Sequence, residues 1–309
     1  LVKETKTMKK MASLFLVAQS ASAAAPSALA VNGHYSLGIE GLSAAAAPPQ
    51  GLYYRGYLVH YDVDNFSDGS GSAVPGNNSG TVNALAHRFI WMTDKTVLGA
   101  DYGMETIIPM LKVEFDLDIA GGNRFDDGGI GDIFVGPLIL GWHGDQWDIT
   151  FAGGHWFDTA NFDANNPASV GKGYGTTMLT LGGMWHFDEE KRWNVSALSR
   201  YEIKTEQEDT DITPGDSWLV EWGLGHRLSN GLEVGLVGYN AWQLEFDEGA
   251  PTTSKAERHA IGTEAGYLWP TVGVMLKGAY YHEYDTQAGG LKGLESDGDT
   301  LRLQLTKFF

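Results

Sequence analysis

The sequence predicts an all-β fold: a closed antiparallel transmembrane β-barrel of about 12 strands after a cleaved signal peptide. Three observations predict it. The chain ends on an alternating stretch, with Leu301, Leu303, Leu305 and Phe309 on one face and Arg302, Gln304 and Thr306 on the other, and its last residue is aromatic. Period-2 alternation gives a strand one apolar and one polar face, although a soluble sandwich strand shares that much. Near the other end, Met8-Lys9-Lys10 leads into the apolar run Met11 to Ala18 and then Ala28-Leu29-Ala30, the charged, apolar and cleavage regions of a signal peptide. Between them the chain divides into alternating segments, joined by connections that are short and long in turn, with no helical periodicity.

The elements follow in order. Residues 1–30 comprise a stretch upstream of the expected initiator Met8 and the signal peptide, so the mature chain is expected to begin near Val31. The apolar run is too short to span a bilayer, which takes about 20 residues. Residues 31–50, rich in Gly, Ala and Pro, have no strand pattern and form an amino-terminal periplasmic segment. Two roles are open to it, a disordered leader or a plug at the periplasmic mouth. The barrel is expected over 51–309, with strands at 51–65, 81–92, 96–118, 128–142, 146–157, 173–187, 192–205, 216–228, 231–246, 256–269, 271–284 and 299–309. Short turns at 93–95, 143–145, 188–191, 229–230 and near 270 are periplasmic. The long polar segments 66–80, 119–127, 158–172, 206–215, 247–255 and 285–298 lie outside the cell.

Within strands the faces sort by residue type. Trp193, Val195, Ala197, Tyr201 and Ile203 meet lipid, leaving Asn194, Ser196, Arg200, Glu202 and Lys204 inside. Trp218, Val220, Trp222 and Leu224 similarly oppose Glu221, Gly223, Gly225 and Arg227. Aromatics at strand ends (Tyr53, Trp91, Trp142, Trp185, Trp193, Trp218, Trp242, Trp269, Phe309) are expected to form two interfacial girdles. Segment 96–118 switches its apolar set from even (Leu98, Ala100, Tyr102, Met104) to odd (Leu111, Val113, Phe115, Leu117), which predicts a bulge at or near Pro109. Pro137 in the next strand also lacks a ladder donor. Together they mark either local strain relief or a wall that opens laterally to the bilayer.

Composition narrows the chemistry. Among 309 residues there is no Cys, which removes disulfides, thiolate metal sites and Cys nucleophiles. Without residues 1–30 the chain carries 17 basic and 38 acidic residues, a balance of −21 that argues against a nucleic-acid partner. The expected partners are small solutes together with outer-membrane lipid and lipopolysaccharide; the acidic loops are either simply solvated or bridged to lipopolysaccharide by divalent cations. Alternation points Arg88, Asp101, Glu105, Asp132, Arg200, Glu202, Glu221, Arg227, Glu264 and Arg302 into the lumen, with Asp148, Lys204, Glu233 and Lys277. Mixed signs in a narrow lumen favour mutual pairing, and a selectivity constriction is the functional alternative. Inward Met178, Met184 and Val237 suit a narrow path for a lean, poorly charged molecule. No catalytic residue, metal site or cofactor is expected: His34-Tyr35-Ser36 lacks a third group to orient the His, and no His pairs at zinc spacing. Asp126-Asp127 with Asp132, and Glu295 with Asp297 and Asp299, are weak Ca²⁺ candidates without EF-hand spacing.

Three stretches resemble the outer-membrane channel family of meta-pathway phenol degradation proteins. They are Asn32-Gly33-His34-Tyr35-Ser36-Leu37-Gly38 through Gly41-Leu42 to Pro48-Pro49-Gln50-Gly51-Leu52-Tyr53-Tyr54, then Gly131-Asp132-Ile133-Phe134-Val135-Gly136-Pro137-Leu138-Ile139-Leu140-Gly141-Trp142-His143, and the Gly173-Tyr174-Gly175 strand start with the terminal Phe309. The resemblance implies a twelve-stranded barrel in the bacterial outer membrane. It also implies passive uptake of small aromatic or hydrophobic compounds for a catabolic pathway, not an enzyme of phenol breakdown. A plugged structural or adhesive barrel is the alternative.

Overall fold

Alternating polarity favours strands, and in lipid a sheet satisfies all its backbone groups only by closing on itself. The computed structural model of the chain describes residues 33–250, 252–289 and 293–309; the signal-peptide expectation lies outside them. Thirteen strands form: β1 Gly51–Ser67, β2 Asn78–Val97, β3 Ala100–Leu117, β4 Asn123–Ile130, β5 Ile133–His143, β6 Trp147–Phe157, β7 Thr176–His186, β8 Trp193–Lys204, β9 Ser217–Arg227, β10 Leu232–Gln243, β11 Glu257–Trp269, β12 Val274–Gln287 and β13 Glu295–Phe308. Each pairs antiparallel with its neighbours, and β1 closes the ring by pairing with both β2 and β13. β4 and β5 both pair with β3, one beyond the other, so they are two halves of a single stave broken at Gly131-Asp132. The barrel therefore has twelve staves.

Several sequence expectations need correction. The β2–β3 turn is not at 93–95, which belongs to β2, but at Leu98-Gly99, both with positive φ (54° and 76°) as a two-residue hairpin requires. The expected long loop 119–127 is mostly strand: a short 3₁₀ turn at Asp118–Ala120 leads directly into β4. Gly173-Tyr174-Gly175 precedes β7 instead of starting it. Tyr53 is no girdle residue; it faces inward, 7% exposed, and donates to the Pro49 carbonyl.

The bulge near Pro109 is also overturned. β3 pairs with β2 in unbroken register from Leu117 to Gly103, so its odd residues face inward throughout that stretch. The polarity of the two sides reverses instead. Pairing sets Leu58, Leu85 and Met110 in one outward row, all exposed and apolar, and His60, Asn83 and Lys112 in the next outward row. The bilayer ends between these rows. Above it the outer face meets water and turns polar, while Val63, Phe66, Val82, Val113, Phe115 and Leu117 pack an ordinary apolar core inside. From Gly51 to His60 is about ten residues, which at ~3.3 Å per residue and ~40° tilt rises ~25 Å, the height of a barrel's apolar band. The true irregularity lies in β5, where the pairings with β3 and β6 both slip around Pro137, so that Phe134 faces in on one side of it and Ile139 on the other.

Candidate functional site in the barrel lumen

Residues 33–50 form no strand, and their backbone polar groups need partners where they lie, inside the barrel. The wall supplies them through charged side chains. His34 stacks on Trp156, with ring centroids 5.7 Å apart, and meets the edge of Tyr174. Its Nδ1 lies 2.8 Å from Thr176 Oγ1 and its Nε2 3.0 Å from Asp132 Oδ2. Asp132 also accepts the amides of Thr159 and Ala160, at 2.9 Å each, and of Lys172 at 3.2 Å. One buried carboxylate thus ties together the inner segment, the break between β4 and β5, and the outer loop 158–172. The expectation that His34 lacks an orienting partner was wrong; alternation could place Asp132 inward but not beside a residue 98 positions earlier.

Further along, the Tyr35 amide donates to Glu202 and its hydroxyl to Glu221 at 2.6 Å, while the Arg200 guanidinium lies 3.7 Å over its ring. Arg302, fully buried, donates to the carbonyls of Gly38 and Ile39 and pairs with Glu264. Glu264 accepts the Leu42 amide at 3.1 Å and pairs with Lys277 at 3.0 Å, and Lys277 donates to the Leu42 carbonyl. Gly41 fits here because its φ is +64° and a Cβ would collide with Glu264 and Arg302. The Ser43 hydroxyl donates to Glu233, and the Thr150 hydroxyl to the Ala45 carbonyl. The segment is a plug fixed at both halves.

At its middle, Glu40 meets three arginines from three staves: Arg55 on β1 at 3.3 Å, Arg88 on β2, and Arg200 on β8 at 3.4 Å. Arg88 also pairs with Glu105, and Arg200 with Glu221 at 2.8 Å. Three cavities surround this node. One encloses about 950 Å³, partly open to solvent, between the plug and the inner faces of β1–β3; its wall includes Tyr57, Val59, Ala84, Ala86, Ile107, Pro109, Leu111 and Trp156, and its polar lining Glu40, Arg88, His34, Asp132 and Lys172. A second, of about 940 Å³, is lined by plug residues 42–49 with Arg55, Arg227, Lys277, Gln304 and Thr306. A third, of about 590 Å³, adjoins both. Glu40 lines all three.

The sequence-derived candidates therefore divide. Arg88, Glu105, Arg200, Glu202, Glu221, Glu264 and Arg302 come together against the plug. Asp132 forms the latch at the stave break. Asp101 stands apart, at the short-turn end of β3, 43% exposed and 3.7 Å from His143, whereas Arg227, at the short-turn end of β9, lines the second cavity with plug residues. Pro109 lines the first cavity, where the pairing of β3 passes from β5 to β4; Pro137 is exposed on the outer face. Glu40 and Arg55 were missed, and so was the buried group in the long-loop half of the barrel where Arg258 pairs with Glu283 and Glu295, while Tyr61 and Tyr239 donate to Glu283. A lone acid in a small-residue stretch, Leu37-Gly38-Ile39-Glu40-Gly41-Leu42, was the only signal for Glu40. The Ca²⁺ candidates do not assemble: Asp126 pairs with Lys112 at 2.8 Å, Asp127 accepts the Val170 amide, and Glu295 holds Arg258. Among the described residues no three His, Cys, Asp or Glu side chains are placed to share an ion.

The wall beside this site is incomplete as a ladder. Above Ile133 the second edge of β4 has no strand partner among the described residues. It meets loop 158–172 instead, through Asp127 to the Val170 amide at 3.0 Å and Asn166 to the Asp126 carbonyl at 3.3 Å. At the start of that loop, burial first, and then the charges of Asp132 and Glu208, push the Asp158 carboxyl up to about 6.

Residues 63–294 match the model of the family described as "Putative MetA-pathway of phenol degradation". No curated protein matches the chain. Among solved structures, the COG4313 outer membrane channel from Pseudomonas putida F1 superposes with a TM-score of 0.75 at 15% identity, covering 88% of this chain and all (100%) of that one. A Pseudomonas aeruginosa FadL homologue gives a TM-score of 0.41 at 11% identity, covering 83% of this chain and 88% of its own. The closed twelve-stave barrel with its apolar outer band is the fold of a bacterial outer-membrane protein.

Proposed function

This chain belongs to the phenol-degradation MetA-pathway family, and from that premise we propose a passive outer-membrane channel that takes up small hydrophobic or aromatic compounds for a catabolic pathway. The observation that carries this proposal is the mainly apolar cavity of about 950 Å³ beside the plug. Its mainly apolar lining with a few polar groups is that of a small-molecule site, and Pro109, Leu111, Val170 and Lys172 of that lining flank the break in the wall's ladder. A neutral aromatic solute entering from outside would find apolar wall, Pro109 and the β4 seam before it reached the charged node below. Lateral release at the foot of that seam, where Ile130 pairs with Met110 in the last outward row that faces lipid, avoids the plug and the desolvation cost of passing buried arginines. The solute is thus proposed to leave sideways, not through the periplasmic mouth.

The role is proposed as non-enzymatic. Thr176, His34 and Asp132 form a hydrogen-bonded series like that of a hydrolase, but Thr176 is fully buried (0% exposed) and does not line the cavity, so its hydroxyl has no substrate to meet. The plug itself favours one other role, a closed structural or adhesive barrel. Initial uptake of labelled toluene, with a sugar of similar size as control, in cells with and without the protein separates them. Faster toluene uptake alone is the expected result; equal acceleration of both indicates a general pore, and no change for either leaves the structural barrel.

A further inference from the structure

We propose that Arg55, Arg88 and Arg200 form a binding site for a small aromatic carboxylate, held in this structure by the plug's own Glu40 as a tethered occupant. Three guanidinium groups from three separate staves converge on one carboxylate, and that carboxylate belongs to the plug, not to the wall. The wall's own charges at this node do not balance. Its carboxylates Glu105 and Glu221 answer two of the three arginines, so without Glu40 a buried positive charge remains. An uncompensated buried charge is costly, and a planar carboxylate is the group that guanidinium forks fit best. Glu40 sits between Gly38 and Gly41, both in the left-handed region, on a stretch with no strand pairing. The apolar cavity that borders Arg88 and Glu40 is walled by Val59, Ala84, Ala86 and Ile107, giving an aromatic ring a place beside the carboxylate position.

The inference rests on the uptake role proposed above and narrows its substrate class. Because Glu40 is tethered, it competes at an effective concentration of millimolar order or higher, so a free carboxylate binds the wild-type protein weakly. Removing the competitor strengthens binding; removing it without adding charge is the cleanest form. The purified full chain in detergent is titrated calorimetrically with sodium benzoate, benzyl alcohol and sodium acetate. Glu40→Gln is expected to bind benzoate at least about tenfold more tightly than wild type, acetate less strongly than benzoate, and benzyl alcohol with unchanged affinity. Equal benzoate affinity in the two proteins overturns the proposal. So does an equal gain for benzyl alcohol, which would mean that the substitution merely enlarges the cavity.

A wild-type measurement covers a variant that does not fold. Saturating benzoate, but not benzyl alcohol, is expected to speed hydrogen exchange at the Tyr35, Glu40 and Leu42 amides, which donate to Glu202, Glu221 and Glu264. Unchanged exchange there also overturns the proposal. The two levels separate in cells: lost toluene uptake defeats the channel role, whereas intact toluene uptake with no benzoate response defeats only the carboxylate site.

Discussion

Charge placement at single residues explains why the lumen is closed. Plug amides and carbonyls inside the barrel meet wall charges, as Tyr35 meets Glu202, Gly38 meets Arg302 and Leu42 meets Glu264. Asp132 extends that grip to the outer loop. Asp158 works against it, since its carboxyl is raised from the ordinary value of 3.8 to about 6 by burial, Asp132 and Glu208. A raised folded-state value means the docked loop holds the proton more tightly than the undocked one. Its stabilising effect is full below about 4 and is lost as pH rises through about 6. The Thr159 and Ala160 amides should therefore exchange faster at pH 7 than at pH 5, after correction for intrinsic rates. Asp158→Asn should remove that difference; a difference that persists in the variant would assign the effect elsewhere.

At the scale of elements, what matters is where each strand leaves the bilayer. β3 carries two polarity regimes on one unbroken register, apolar-out below Met110 and apolar-in above Lys112. From sequence this looked like a face flip, because a bulge and a change of solvent give the same parity switch. Only pairing with β2 distinguishes them. The boundary makes a direct prediction about cost. Leu181 is 58% exposed on the outer face of β7, between the aromatic Trp185 end and the outer loop, whereas Asn83 lies in the outward row just above the boundary. Leu181→Arg should destabilise the barrel by about 2–4 kcal/mol in vesicles and Asn83→Arg by about 0–1 kcal/mol. Guanidinium unfolding of both variants checks it, and equal losses would misplace the boundary.

For the whole molecule, a closed ring with one stave broken in half is the arrangement that would reconcile a firm plug with the proposed passage of a solute. The seam between β4 and loop 158–172 has no ladder among the described residues and is held by side-chain contacts. The chain has no Cys, so an introduced pair at Asp127 and Val170 forms an unambiguous cross-link. Asp127→Cys with Val170→Cys should depress toluene uptake several-fold when oxidised and restore it on reduction. Unchanged uptake in the oxidised protein would exclude release through this seam.

The sequence by itself determined the barrel, its stave number and the inward set on β8 and β9, because period-2 alternation reports which side of a strand meets lipid without reference to any other part of the chain. It also showed a cysteine-free and strongly acidic chain. It did not determine what the inward charges face. Arg88, Arg200 and Arg302 were legible as lumen residues, but their partners in residues 33–50 lie 48, 160 and 263 or more positions away, in a segment with no periodicity to read. Nor could it separate a bulge at Pro109 from the solvent boundary there, or find the true slip at Pro137, since register belongs to pairs of strands. Those decisions were made by closure of the sheet around its own amino-terminal segment, where burying unpaired polar groups costs more than any local preference supplies.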